Sequence, residues 1–211
     1  MPAVTSPIQQ RVILEGVSWH TYECLLADVG DSHAVRVAYD QGRLEIMAPS
    51  YAHEEINHLI ARIVEIIATE MDVDFANAGS TTFRREDLAR GFEPDTCFYI
   101  AHVAAIRGKT AIDLDVDPPP DLVLEIDITH PALDKLPVYA AVEVPEVWRY
   151  RREQVVMYRL VGTSYEVMDA SVALPGLTGT DILHWLEVSQ QTTRAAWMRQ
   201  VQDWARTRWG V

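Results

Sequence analysis

The chain has 211 residues, 48% of them hydrophobic, six Trp, and a formal charge of −13 from 18 Lys+Arg against 31 Asp+Glu. Length and apolar share predict one compact domain over residues 1–211 with a substantial core, and exclude a disordered acidic tail. The acidity argues against a simple nucleic-acid coating protein, which is normally basic.

In chain order, residues 17–27 (VSWHTYECLLA) predict a short helix with Ser18 as its N-cap. Residues 35–47 predict a β-hairpin, with alternating apolar residues around a Gln41-Gly42 turn. Residues 52–69 carry the clearest helical period, with Ile56, Leu59, Ile60, Ile63, Val64 and Ile67 on one face and Ser50 as cap. A strand is expected near 73–78, then a polar connection AGSTTFRREDLARGF, then a strand in PDTCFYI (94–100). A connector with a short helix ends in Pro118-Pro119-Pro120. DLVLEIDIT (121–129) is dense enough in β-branched residues for a central strand. A short helix is expected around 132–141, a second hairpin from 146–150 and 155–160, and a further strand at 165–169. From about 179 the chain reads as helical, anchored by Trp185, Leu186, Trp197, Val201 and Trp204. The order predicts an α/β fold: a mixed sheet flanked by helices, with a core over about 16–170, an N-terminal hairpin and a C-terminal helical extension over about 179–209.

Cys24 and Cys97 lie outside any CxxC pattern, so a disulfide framework and a cysteine zinc site are not expected. No basic start with an apolar stretch marks a signal peptide, and no apolar run reaches the roughly 20 residues of a membrane span, so the expected address is the cytosol.

Two motif-like runs do not hold up. His53-Glu54-Glu55-Ile56-Asn57-His58 is one residue too long for HExxH, and an i,i+5 step turns through about 500°, so the two imidazoles diverge. Asp113, Asp115 and Asp117 begin like a calcium loop, but Pro118 stands where its Gly belongs and no Glu fills the twelfth position. This run reads as a solvated acidic connector. There is no GxSxG, P-loop or GxGxxG.

The informative residues are Asp95, Glu125 and Lys135. Asp95 follows Pro94 at the head of a strand. Alternation in 121–129 puts Leu122, Leu124, Ile126 and Ile128 on one face, and Val123, Glu125 and Asp127 on the other. A carboxylate on a central strand is costly unless it is paired or binds a cation; the plain alternative is that this face is in water. Lys135 is one of two lysines against sixteen arginines, and a lysine kept in such a chain suits a task needing a compact charge. Two carboxylates and a lysine suit phosphodiester hydrolysis: the carboxylates hold Mg²⁺ (or Mn²⁺), which acidifies a water, and the lysine stabilises charge.

On these residues the sequence resembles the PD-(D/E)XK nuclease superfamily, and within it the Uma-type family of bacterial restriction-endonuclease-like proteins. The segments that carry the resemblance are YDQGRLEIMAPSYAHEEI, AGSTTFRREDLARGFEPDTCFYI, PPDLVLEIDIT and DKLPVYAAVEVPEVWRY, in family order over roughly residues 16–165. The resemblance implies a restriction-endonuclease-like core and a Mg²⁺-dependent endonuclease of DNA, with Asp95 and Glu125 on the metal. Asp127 stands where the superfamily has its lysine. The family's Lys-x-x-x-Tyr pattern fits Lys135 to Tyr139, which carries the catalytic role to Lys135, with Pro137 marking a short or late-starting helix. Tyr139 either orients Lys135 or packs. The loop Thr129-His130-Pro131 carries His where the family often has a small polar residue.

An acidic residue on the first core helix often helps in the superfamily. Motif position favours Glu54 as a further metal ligand beside Asp127. The helical wheel favours His53, which becomes a catalytic candidate, or Glu55; a solvated first turn is the plain alternative. Arg84, Arg85 and Arg90, and Arg149, Arg151 and Arg152, are candidates for a basic rim; for the first three the plain alternative is pairing with Glu86 and Asp87. Two other readings remain: a catalytically silent nuclease-fold module for DNA or a partner, and an assembly protein docking through its Trp-rich end. Trp185, Trp197 and Trp204 are expected in the core or in a homodimer interface.

Overall fold

The computed structural model describes residues 10–30, 34–128 and 133–210. The chain runs β1 (Gln10–Leu14), α1 (Trp19–Val29), β2 (Arg36–Asp40), β3 (Arg43–Ala48), α2 (Tyr51–Glu70), β4 (Ala76–Gly79), β5 (Phe83–Arg85), β6 (Arg90–Phe92), β7 (Thr96–Tyr99) and α3 (Val103–Ile106). It continues through β8 (Leu122–Asp127), α4 (Leu136–Ala141), β9 (Glu146–Arg151), β10 (Gln154–Val161), β11 (Ser164–Met168), α5 (Gly179–Ser189) and α6 (Arg194–Trp209).

The α/β class stands, with the strands in two sheets. One, ordered β1-β3-β2-β6-β5, is antiparallel throughout; the other is ordered β11-β10-β9-β8-β7-β4. The second is the expected mixed sheet, because β8 and β9 pair in parallel across the α4 connection. The early hairpin belongs to the first sheet, and its Gln41-Gly42 turn takes the two positive φ values (48° and 99°) of a primed turn.

All six residues of β8 are buried, so the reading of its polar face as water-exposed does not hold. Leu122, Leu124 and Ile126 pack with Ile60, Ile63 and Ile67 of α2, Trp185 of α5 and Trp197 of α6. Val123 faces the other way, against Val138 and Tyr139 of α4 and Val147 of β9. Helices therefore cover both faces of the strand that carries Glu125. The helix expected at 132–141 begins at Leu136, with Pro137 in its first turn, where a missing N–H costs nothing.

The segment 78–92 is not a simple polar connection. β5 and β6 form a hairpin held by Phe83 and Phe92, both 1% exposed and stacked at 5.1 Å. Gly91 in β6 is required there: a Cβ at that position would stand 2.1 Å from the Tyr22 hydroxyl oxygen. Two helices, α5 and α6, replace the single C-terminal stretch, each opened by a threonine cap, Thr178 and Thr193. Trp185 and Trp197 are buried inside this chain, and the Trp197 indole donates to the Trp185 carbonyl at 2.7 Å. They do not supply the dimer surface for which the sequence made them candidates. Among the described residues no helix is long and apolar enough to cross a membrane.

Candidate functional site

Four elements converge where β8 leaves the cover of α4. Glu125 lies on β8, and Lys135 and Tyr139 come from the start of α4. Asp95 comes from the residue before β7, and His53 from the first turn of α2. Ser50 sets this turn by accepting the His53 N–H at 3.3 Å. Asn57, one turn on, donates to the Asp95 carbonyl at 3.0 Å and accepts the Thr96 hydroxyl at 2.9 Å, which ties α2 to β7.

Asp95 is 2% exposed. Its Oδ2 accepts the Ile126 N–H at 2.7 Å and lies 3.1 Å from His53 Nε2. Its Oδ1 is buried without a hydrogen-bond partner among the described residues. Burial opposes its charge; the imidazole, Lys135 and the Ile126 N–H overcome that and hold the carboxyl below the usual carboxylate range.

Glu125 is held on both oxygens. Lys135 Nζ donates to them at 2.9 and 3.2 Å, and the Tyr139 hydroxyl donates to Oε1. Burial pushes its carboxyl up to about 7, with the Asp95 charge in the same direction and Lys135 pulling against both. Burial would lower Lys135, but Glu125, Asp95 and Glu45 raise it, so the ammonium keeps its proton. Lys109, the other lysine, is spent on Asp117 in the connector. Tyr139 both packs and bonds, and it reaches Glu125 rather than Lys135.

His53 is fully buried between carboxylates, with Nδ1 3.6 Å from Glu54. Neither ring nitrogen meets its carboxylate with straight hydrogen-bond geometry, so these contacts act chiefly as charge. Burial would lower the imidazole; Asp95 and Glu54 outweigh it and raise it to about 9. His58 is 72% exposed at its side chain, as the i,i+5 spacing requires.

The other expected acidic residues have different partners. Glu54 sits against Arg36 (3.4 Å), His53 and His58, and reaches Asp95 through His53. Glu55 turns outward to Arg194. Asp127 accepts Arg149 Nε at 2.7 Å and lies 3.9 Å from Arg11. Among the described residues no three His, Cys, Asp or Glu side chains gather closely enough to hold a metal by themselves. Of the first basic group, Arg85 pairs with Asp87 and Asp115, and Arg90 with Asp40. Thr129-His130-Pro131 lies outside the described residues.

Sequence reasoning missed Glu45. It is 2% exposed on β3, accepts the Leu133 N–H at 2.9 Å and stands 3.6 Å from Arg11. The available signal was the one that marked Glu125: a carboxylate inside an apolar strand, here Leu44-Glu45-Ile46-Met47. Asn57, inside the apolar stripe of α2, was signalled in the same way.

The family model Uma2, described as "Putative restriction endonuclease", matches residues 19–191. The chain belongs to the Uma2 family. The matched span runs from the first residue of α1 past the end of α5, so it contains every member of the cluster around Asp95 and Glu125. No curated protein matches the chain. A crystal structure from Anabaena variabilis ATCC 29413, described as "a putative nuclease belonging to DUF820", aligns over 81% of this chain and 99% of that one. Its TM-score is 0.54 at 16% identity, which shows a shared fold.

Proposed function

We propose that this Uma2 protein is a divalent-cation-dependent nuclease that hydrolyses phosphodiester bonds of DNA. The observation that carries the reading is the convergence of Asp95, Glu125 and Lys135 in one buried cluster, with Asp95 Oδ1 left without a partner among the described residues. Mg²⁺ or Mn²⁺ fits such a place, since a hard cation keeps several waters and needs one or two carboxylates from the protein. Asp95 and Glu125 are the residues that would hold it. When bound, the cation polarises a phosphoryl oxygen and acidifies a water.

The chain's own residues do the rest. Lys135 brings a fixed positive charge beside Glu125 to steady the charge that develops on the phosphate. His53 and the Ile126 N–H hold Asp95 in one orientation, a positioning role, and Tyr139 does the same for Glu125. Glu54 and Asp127, both expected as metal ligands, are better read as counter-charges to His53 and Arg36 and to Arg149 and Arg11. A second copy, expected for cutting both strands, would use surface other than Trp185 and Trp197; sedimentation velocity at micromolar concentration tests it.

Plasmid and single-stranded DNA incubated with the protein and Mg²⁺ or Mn²⁺ test the reading. Cleavage is expected in the wild type and its loss in both Asp95→Asn and Glu125→Gln; cleavage that survives both substitutions overturns the mechanism.

One observation favours a second reading, a silent nuclease-fold module. Lys135 and Tyr139 already occupy both Glu125 oxygens. Calorimetric titration with Mn²⁺ separates the two. Binding that depends on Glu125 supports the nuclease, and its absence supports the module.

A further inference from the structure

We propose that Arg149 and Arg151 of β9 form a phosphate-binding edge that leads nucleic acid from the surface to Glu125; this rests on the nuclease reading above. In the parallel pairing of β8 with β9, Glu125 stands opposite Arg149 and Asp127 opposite Arg151. Partners in a parallel ladder project to the same side, so an acidic row and a basic row lie next to each other on the face that carries Glu125. The same face begins with Val123 and Val147, buried under α4. It ends at the exposed Arg152-Glu153 turn, where positive φ values of 49° and 58° fold β9 sharply back into β10. Burial therefore falls steadily along β9, from Val147 through Arg149 to the tip.

The two arginines are prepared differently. Arg149 is aimed: its Nε donates to Asp127 at 2.7 Å, and a terminal nitrogen lies 3.8 Å from Asp134. Asp127 is itself steadied by Arg11 on the opposite sheet. One carboxylate hydrogen bond leaves most of the guanidinium's five donors available. Arg151, half-buried and one pleat nearer the surface, has no ion pair among the described residues. Successive same-face residues are about 6.6 Å apart on a strand, so the edge offers two fork-shaped donors in line, a form that matches phosphate oxygens bidentately. Against a net charge of −13, phosphates need such a local positive path. Asp127 then has a role at the position where the superfamily pattern has lysine: it is a positioning residue for Arg149.

The test is fluorescence anisotropy of a labelled 20-base-pair duplex, and of one of its strands, titrated in Ca²⁺ over a range of NaCl. Removing one arginine–phosphate pairing should flatten the log–log salt dependence by about 0.9 for duplex and about 0.7 for single strand. Arg151→Gln is expected to flatten it by that amount, as is Arg149→Gln. Arg62→Gln, which removes the same charge from α2 on the other side of the sheet, should leave it unchanged. Arg151 sits beside an exposed turn, so its variant tests the inference even if Arg149→Gln unfolds. Duplex binding with the wild-type slope in Arg151→Gln overturns this inference alone. No binding of either DNA by the wild type overturns the nuclease reading beneath it.

Discussion

Lys135 Nζ lies within 2.9 and 3.2 Å of the two oxygens of Glu125, so each buried charge is the other's main compensation. Removing one partner leaves the other unpaired in a poor dielectric. We expect Lys135→Met to abolish cleavage and to cost about 3–5 kcal/mol in urea unfolding at pH 8. The loss should shrink below pH 6, because a Glu125 carboxyl raised above its unfolded value favours the fold only while protonated. Glu125→Gln combined with Lys135→Met should recover most of the stability and none of the activity.

His53 makes stability depend on alkaline pH. Its folded value, about 9, lies above the ordinary imidazole value of 6.5. The protonated ring therefore favours the folded chain, fully below about pH 6.5, and this contribution is lost as pH rises through 9. The span corresponds to about 3 kcal/mol at most. Urea midpoints from about pH 7.5 to about pH 9.5, above the Glu125 transition, should fall more steeply for the wild type than for His53→Gln. An equal fall in both proteins would remove His53 as the cause.

Gly91 and Tyr22 meet with no space between them. Gly91→Ala should lower stability by about 1–3 kcal/mol, because the Tyr22 ring is fully buried and stacked on Tyr39 and has nowhere to go. The Tyr22 hydroxyl is buried without a hydrogen bond among the described residues. Tyr22→Phe is therefore expected to stabilise by about 1 kcal/mol and to relieve part of the Gly91→Ala loss. Thermal melts of the two single variants and the double variant measure both effects and their coupling.

Trp197 fixes α6 to α5 through its buried ring and its bond to the Trp185 carbonyl. Trp197→Ala should cost about 3–5 kcal/mol. Trp197→Phe, which keeps most of the ring and loses the bond, should cost about 1–2 kcal/mol. If the indole instead served an interface between copies, sedimentation would change with either substitution while the urea midpoint stayed put.

Much of the frame was legible along the chain. Side-chain period 3.6 marked α2, and period 2 in 121–129 divided Leu122, Leu124 and Ile126 from Glu125 and Asp127 on the two faces that the core occupies. Ser18 and Ser50 announced their helices because a cap is a local hydrogen bond. The hairpin at 83–92 was not legible, since its strands are three residues long and its pattern is broken by Arg84, Arg85 and Gly91. What holds it is Phe83 stacked on Phe92, and the fit of Gly91 to a tyrosine from α1.

By itself the sequence determined the α/β order, the strand bearing Glu125 and the residue types able to do phosphate chemistry, because periodicity and composition are local. Tertiary structure alone decided which charge meets which. Asp127 and Glu125 are two residues apart on one face, yet one is held by Arg149 from the neighbouring strand and the other by Lys135 from the following helix. Glu45 enters from a different sheet, 88 residues before the N–H it accepts. A buried charge is stable only beside a partner, and the partner is set by how the sheets and helices dock, a long-range outcome that no local pattern encodes.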